Sequence, residues 1–273
     1  MTAHGASREA FAAARERLDA LTDSTSVDAA QLAGELAAVT ALLDREVSLR
    51  RVLTDPAQAG EAKAELVQRL LGAQIGGTTA DLVSGTVRSR WSRSRDLVDA
   101  LEELADIADL TAAQKAGTLD NVEDELFRFG RIVSSNFELR AALTNRKATA
   151  SAKSELLRSL LGGRADAATE RLVTRLVTAP RGRSLEAGLE ALSKLAAERR
   201  DRMVAVVTSA VPLSDPQKQR LGAALAKLYG RPMHLNLDVD PAVLGGIRVQ
   251  VGDEVINGSL ADRIENVARR MAS

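Results

Sequence analysis

The strongest constraint on the fold of this chain is an internal repeat with an offset of 90 residues. From Leu49 and Leu139 onwards, 15 of 39 aligned pairs are identical. The identical pairs include polar residues and glycines as well as apolar residues: Thr54 and Thr144, Lys63 and Lys153, Glu65 and Glu155, Gly72 and Gly162. Unrelated amphipathic helices would share only apolar positions, so we infer a duplicated module.

Each copy of the module is predicted to be a bundle of helices. In the first copy, apolar residues recur at helical spacing over residues 7–22, 31–44, 62–71, 80–91 and 96–110. Asp55 precedes Pro56 and therefore marks a helix end, and Gly72 is a predicted C-cap. Aromatic residues make up only 2% of the chain. The core must therefore consist of Leu, Val and Ala, which suits closely packed helices.

The last third of the chain has the pattern of a small α+β domain. Its predicted elements, in order, are a strand at 203–208, a helix at 214–229, a strand at 235–239, a hairpin at 247–256 and a helix from 259. Ser214 and Gln217 form a capping box. The predicted fold is mainly α: two repeated helical bundles (1–112 and 113–200) followed by a β-α-β-β-β-α domain (201–273), with a helix near 96–115 joining the bundles.

Composition excludes several classes of protein. Basic and acidic residues balance at 37 each, so no overall charge attracts nucleic acid or anionic lipid. The absence of Cys rules out disulfides, thiolate metal sites and a Cys nucleophile, and suits a reducing cytosol. No apolar run approaches the roughly 20 residues that span a bilayer. The N-terminus lacks the apolar core of a signal peptide, and we expect a soluble protein.

No motif predicts catalysis or a bound cofactor or metal. Gly76–Gly77 and Gly162–Gly163 lack the Lys-Ser/Thr of a phosphate-binding loop and are interpreted as helix-ending loops. A serine hydrolase elbow is absent. His4 and His234 are isolated, so no metal site is expected. The acidic residues at 120–125 are interpreted as a solvated helix start.

A basic run from Arg88 to Arg95 surrounds Trp91 and is the main alternative site. Basic and aromatic residues on one surface would suit RNA. However, Arg95 aligns with Arg183 in the second copy, where there is no basic cluster. A shared arginine favours a structural contact, such as one to helix carbonyl groups.

The final helix is the clearest candidate for partner binding. Its apolar face consists of Leu260, Ile264, Val267 and Met271. This face either covers the C-terminal sheet or binds a partner helix. The sequence does not separate these alternatives, and both can hold.

The C-terminal motif resembles that of a known family. Leu-Gly-Gly-Ile-Arg-Val at 244–249 and Val-Ile-Asn-Gly-Ser-Leu at 255–260, followed by Arg263, resemble the signature of the ATP synthase δ subunit, called OSCP in mitochondria. Residues 206–214, 139–161 and 181–183 also resemble segments of this family. Asn257 stands where the family commonly has Asp. The extra helical copy resembles the longer δ subunits of high-GC Gram-positive bacteria.

The resemblance implies a non-catalytic stator subunit without a cofactor or metal. The implied partners are the N-terminal helices of the ATP synthase α subunits and the C-terminal region of the b subunit. It implies a peripheral location at the cytoplasmic face of the bacterial membrane. The residues expected at the b contact are Gly245, Gly246, Gly258, Leu260, Arg263, Ile264, Val267 and Met271. The competing function is a free helical adaptor or RNA-binding module that uses Arg88–Arg95.

Overall fold

The computed structural model describes residues 5–23, 27–200, 203–229, 233–240, 246–251 and 254–257. The first helical copy contains α1 (Gly5–Asp23), α2 (Ala29–Arg45), α3 (Val47–Thr54), α4 (Gly60–Leu71), α5 (Gly77–Arg88) and α6 (Ser94–Lys115). The second contains α7 (Leu119–Ser135), α8 (Phe137–Thr144), α9 (Ala150–Leu161), α10 (Ala167–Thr178) and α11 (Leu185–Arg200). The C-terminal elements are β1 (Met203–Ser209), α12 (Asp215–Tyr229), β2 (Met233–Val239), β3 (Ile247–Val251) and β4 (Glu254–Asn257).

The helix boundaries repeat with the offset found in the sequence. Helices α2 to α5 begin and end 90 residues before α7 to α10. The turns that follow the aligned helices α3 and α8 are also the same. Asp55 Oδ1 accepts a hydrogen bond from the backbone N–H of Ala57, and Asn145 Oδ1 accepts one from that of Lys147, both at 2.9 Å. The duplication therefore extends from sequence to local hydrogen bonding.

Three local expectations differ from the structure. Helix α5 ends at Arg88 rather than Trp91, because Ser89 adopts an extended conformation. Gly76 and Gly77 begin α5 rather than end a helix, whereas Gly162 does follow α9. Gly72 is the C-cap of α4, but its φ of −57° is right-handed, not the left-handed conformation common at glycine caps.

Residues 1–197 form one compact unit with two hydrophobic clusters. The first cluster includes Leu36, Leu82 and Leu101, and the second includes Leu126 and Leu172. Helix α6 supplies residues to both clusters. Helix α6 therefore joins the two copies, because this one helix packs in both hydrophobic clusters.

Residues 198–273 form a second compact unit. The described strands form a mixed sheet in the order β2-β1-β3-β4, in which β1 is parallel to β2 and antiparallel to β3. Val207 pairs with Val249, and both side chains are buried with Leu225 of α12. One half of the predicted capping box is present, because Gln217 Oε1 accepts the Ser214 backbone N–H at 2.8 Å. The Ser214 hydroxyl donates to the same oxygen, and the Gln217 backbone N–H donates to the Ser214 carbonyl oxygen instead of the hydroxyl. The predicted final helix lies outside the described residues.

Candidate partner-binding surfaces

The predicted b-contact residues lie almost entirely outside the described part of the chain. Gly246 is the exception. It is exposed immediately before β3, and its φ of +83° is a conformation that favours glycine. Outside the described residues lie Gly245, Gly258, Leu260, Arg263, Ile264, Val267 and Met271. These positions therefore remain predictions.

The described residues contain no candidate metal centre. Within the ranges that the structure covers, no group of three or more His, Asp or Glu side chains could hold a metal ion. Among the same residues, none of the helices is long and apolar enough to cross a membrane.

Arginines of the basic run at Arg88–Arg95 form ion pairs within the chain. Arg88 pairs with Glu61 at 3.0 Å, and Arg93 pairs with Asp96 at 3.4 Å. The Trp91 side chain is buried, and its indole N–H donates to the Thr86 carbonyl oxygen at 3.1 Å. A buried ring cannot stack on a nucleotide base. The run therefore lacks the exposed aromatic surface that the RNA-binding hypothesis requires.

The two copies of the aligned arginine both contact carboxylates. Arg95 lies 3.7 Å from Asp44, and Arg183 lies 2.6 Å from Glu102. Arg183 also donates to the Pro180 carbonyl oxygen. The prediction of a structural contact is confirmed. The main partner of each arginine is a carboxylate rather than the expected helix carbonyl.

A glutamate clasp holds the corresponding helices together in each copy. Glu125 of α7 accepts hydrogen bonds from the Asp166 backbone N–H at 2.9 Å and from the Thr169 hydroxyl at 2.5 Å. Ninety residues earlier, Glu35 accepts from the Gly76 backbone N–H at 3.0 Å and from the Thr79 hydroxyl. The clasps therefore join α2 to the start of α5 in the first copy and α7 to the start of α10 in the second.

The clasps give Glu35 and Glu125 a structural role that the composition of the chain does not indicate. Burial raises the pKa of Glu35, but hydrogen bonds from Thr79, Gln31 and Gly76 outweigh it and leave the pKa lowered. Glu125 was expected in a solvated acidic helix start, and that expectation is wrong for this residue. The repeat contained the missed signal, because Glu35 aligns with Glu125 and Thr79 with Thr169.

Helix α6 carries buried carboxylates that meet arginines of α10. Arg171 Nε lies 2.6 Å from Asp109 Oδ1, and Arg175 pairs with both Asp106 and Asp109. Burial raises the pKa of Asp106 to about 7, although Arg175 opposes this effect. The spacing of the α6 acids, at i, i+4 and i+7 from Glu102, could have indicated this charged face.

A cleft of about 670 Å³ lies between α1, α4 and α5 of the first copy. Its charged lining is balanced between arginines and acids. The charged residues are Arg17, Glu61, Glu65, Arg69, Asp81 and Arg88.

The second copy exposes large apolar side chains where the aligned side chains of the first copy are smaller or less exposed. Phe127, Ile132 and Phe137 are 57%, 51% and 73% exposed. The aligned residues of the first copy are Ala37, Leu42 and Val47. Arg140 lies over the Phe137 ring, 5.8 Å from its centre. The two copies thus have different surfaces on a common scaffold.

Comparisons with known proteins agree on one family. The family model described as ATP synthase delta (OSCP) subunit matches residues 107–271. The chain is 84% identical over 270 residues to ATP synthase subunit delta of Streptomyces coelicolor, covering 99% of this chain and 98% of that protein. It is 50% identical over 268 residues to the subunit of the same name from Thermobifida fusca, covering 98% and 99%.

A solved chain of the Toxoplasma gondii mitochondrial ATP synthase hexamer is also similar. It covers 62% of this chain and 97% of its own length, at 20% identity and a TM-score of 0.28. This score is too low to inform the arrangement of the helices described above.

Proposed function

Because the chain belongs to the ATP synthase delta (OSCP) subunit family, it is a non-catalytic subunit of the peripheral stalk, and we propose how its parts hold that stalk. The helical unit binds N-terminal helices of α subunits. The C-terminal unit binds the end of the b subunit. The chain thereby keeps the α/β hexamer still while the rotor turns.

The extent of the family match is the main support for this proposal. It spans the second helical copy and the C-terminal unit, from 107 to 271. A family that usually has one helical domain thus corresponds to the second copy. We assign the α contact to this copy, and the exposed Phe127 and Phe137 support the assignment. Exposed aromatic side chains are frequent anchors at protein interfaces.

The α contact is tested with the full-length chain and a synthetic peptide that spans the N-terminal helix of the α subunit. Calorimetry of Phe137→Ala should show at least tenfold weaker binding than wild type. The control is Val47→Ala at the aligned position of the first copy, which should bind normally. Unchanged binding by both variants, with the wild type binding, would move the α contact away from α8.

The b contact is assigned to the apolar face of residues 260–271 and to the glycines near it. An amphipathic face of this kind can bind a partner helix through i, i+3 and i+4 anchors. Its test is Ile264→Asp, which places a charge in the proposed contact. Binding of a peptide from the C-terminal end of the b subunit should weaken strongly, while the circular dichroism of the helical unit should not change. Unchanged affinity or global unfolding would refute the assignment.

The proposed contacts also explain why a stator needs more than one interface. Nanomolar affinity corresponds to roughly −12 kcal/mol, and attachment must persist under load.

We place the protein at the cytoplasmic face of the bacterial membrane, as a peripheral part of the complex. Fractionation of membranes with intact ATP synthase tests this location. Release of the chain by washing, without detergent, would support peripheral attachment, and a requirement for detergent would contradict it.

A further inference from the structure

We propose that Arg181 locks the second helical copy to the first, so that the two copies move as one rigid lever. Arg181 lies in the segment between α10 and α11. Its φ is +46°, and among the described residues no other non-glycine residue has a positive φ. Backbone in this conformation persists only where the surrounding contacts hold it.

The side chain of Arg181 supplies those contacts. Only 6% of it is exposed, and it reaches two helices of the first copy. Its Nε donates to Asp44 Oδ2 of α2 at 3.1 Å. Its Nη1 lies 2.9 Å from Glu102 Oε1 of α6. The guanidinium therefore bridges carboxylates on two helices, through a hydrogen bond to Asp44 and a close ion pair with Glu102.

Neighbouring charges extend the contact. Arg183 meets the other carboxylate oxygen of Glu102 at 2.6 Å. Asp44 also lies within 4 Å of Arg50 and Arg95, both from the first copy. Asp44 is therefore an anchor that arginines of the first copy hold in place, and Glu102 of α6 is engaged by both Arg181 and Arg183 of the second copy.

The repeat provides an internal comparison. Arg93-Ser94-Arg95 aligns with Arg181-Gly182-Arg183, yet Arg93 has an extended backbone with φ −138°. Its side chain is 62% exposed and pairs with Asp96 three residues later. The same motif thus makes a local contact in the first copy and a contact between copies in the second. Position 134, which aligns with Asp44, is a serine.

Buried ion pairs can specify one geometry while adding little net stability. The biological purpose of this contact rests on the proposed stator function. A flexible joint between the two copies would absorb torque that a stator has to resist. The lock itself is a property of the isolated chain. It can therefore fail while the α and b contacts hold, or hold while they fail.

The test measures the distance between copies by electron–electron double resonance. The chain has no native cysteine, so Glu65→Cys and Glu155→Cys place one spin label at the aligned, exposed position of each copy. The unaltered Arg181 chain should give one narrow distance distribution. Arg181→Gly deletes the guanidinium yet tolerates the positive φ, and should at least double the width of the distribution.

Two further variants make the result decisive. Arg93→Gly, at the aligned position of the first copy, should leave the width unchanged. Asp44→Asn weakens the anchor on α2 and should broaden the distribution, which decides the matter if Arg181→Gly fails to fold. A narrow distance distribution in folded Arg181→Gly overturns the lock. If Arg181→Gly does not fold, a narrow distribution in Asp44→Asn overturns it instead. Equal broadening by Arg93→Gly does so as well.

Discussion

Replacing Glu125 with Ala should destabilise the helical unit, because it removes the carboxylate at the centre of the glutamate clasp of the second copy. The change removes the acceptor for the Asp166 backbone N–H and the Thr169 hydroxyl. Thr169 is fully buried, so its hydroxyl cannot turn to water. Hydrogen bonds to charged groups each contribute about 1.5–3 kcal/mol. The Thr169 hydroxyl can regain a bond within α10, so we expect a loss of about 2–4 kcal/mol.

Urea unfolding followed by circular dichroism measures this loss as a lower free energy of unfolding. Glu35→Ala should cost a similar amount, because Glu35 makes the aligned bonds to Gly76 and Thr79. Trp91, the single tryptophan, is buried in the first copy and reports separately on that copy. Glu155→Ala on the exposed surface of α9 is the control and should stay within about 0.5 kcal/mol. A loss below about 0.5 kcal/mol for Glu125→Ala would refute the clasp.

Two further predictions concern close packing and buried charge. A Cβ at Gly188 would clash with the Leu176 side chain in the core between α10 and α11, so Gly188→Ala should cost about 1–3 kcal/mol in thermal or urea unfolding. A Cβ at Gly85 would meet only the end of the flexible Arg17 side chain, so Gly85→Ala should be neutral or stabilising by up to about 1 kcal/mol through helix propensity. Equal costs for the two variants would contradict this packing. Asp106 has a pKa raised to about 7 in the folded state, so its contribution to stability is complete below about pH 4 and is lost as the pH rises through 7. The stability of wild type relative to Asp106→Asn should therefore fall by at most about 1.4 kcal/mol per pH unit across that window, and a flat difference would contradict the raised pKa.

The sequence predicted the features that depend on local pattern. The 90-residue offset anticipated the matched boundaries of α2 to α5 and α7 to α10. Alternation at Ile247, Val249 and Val251 anticipated a strand with Val249 and Val251 buried. Such patterns are local because the period of side-chain direction is set by the backbone itself.

The features that it did not predict depend on contacts between distant residues. Glu125 reaches residues more than 40 positions away, and Arg181 reaches Asp44 over 137 positions. An acidic side chain on a helix is usually solvated, so nothing in its immediate neighbours predicted burial. Comparison of the two copies contained part of the information, because shared polar residues are the ones that a fold must pair.

Simultaneous binding of α and b by one chain is the proposal on which the stator function depends. Its most direct test immobilises a peptide from the C-terminal end of the b subunit, captures the full-length chain, and then measures retention of a labelled peptide from the N-terminal helix of the α subunit. We expect a ternary complex, with capture lost in Ile264→Asp and α-peptide retention reduced in Phe137→Ala. Binding of only one peptide at a time, or of neither, would contradict the role of this chain as the link between the hexamer and the stalk.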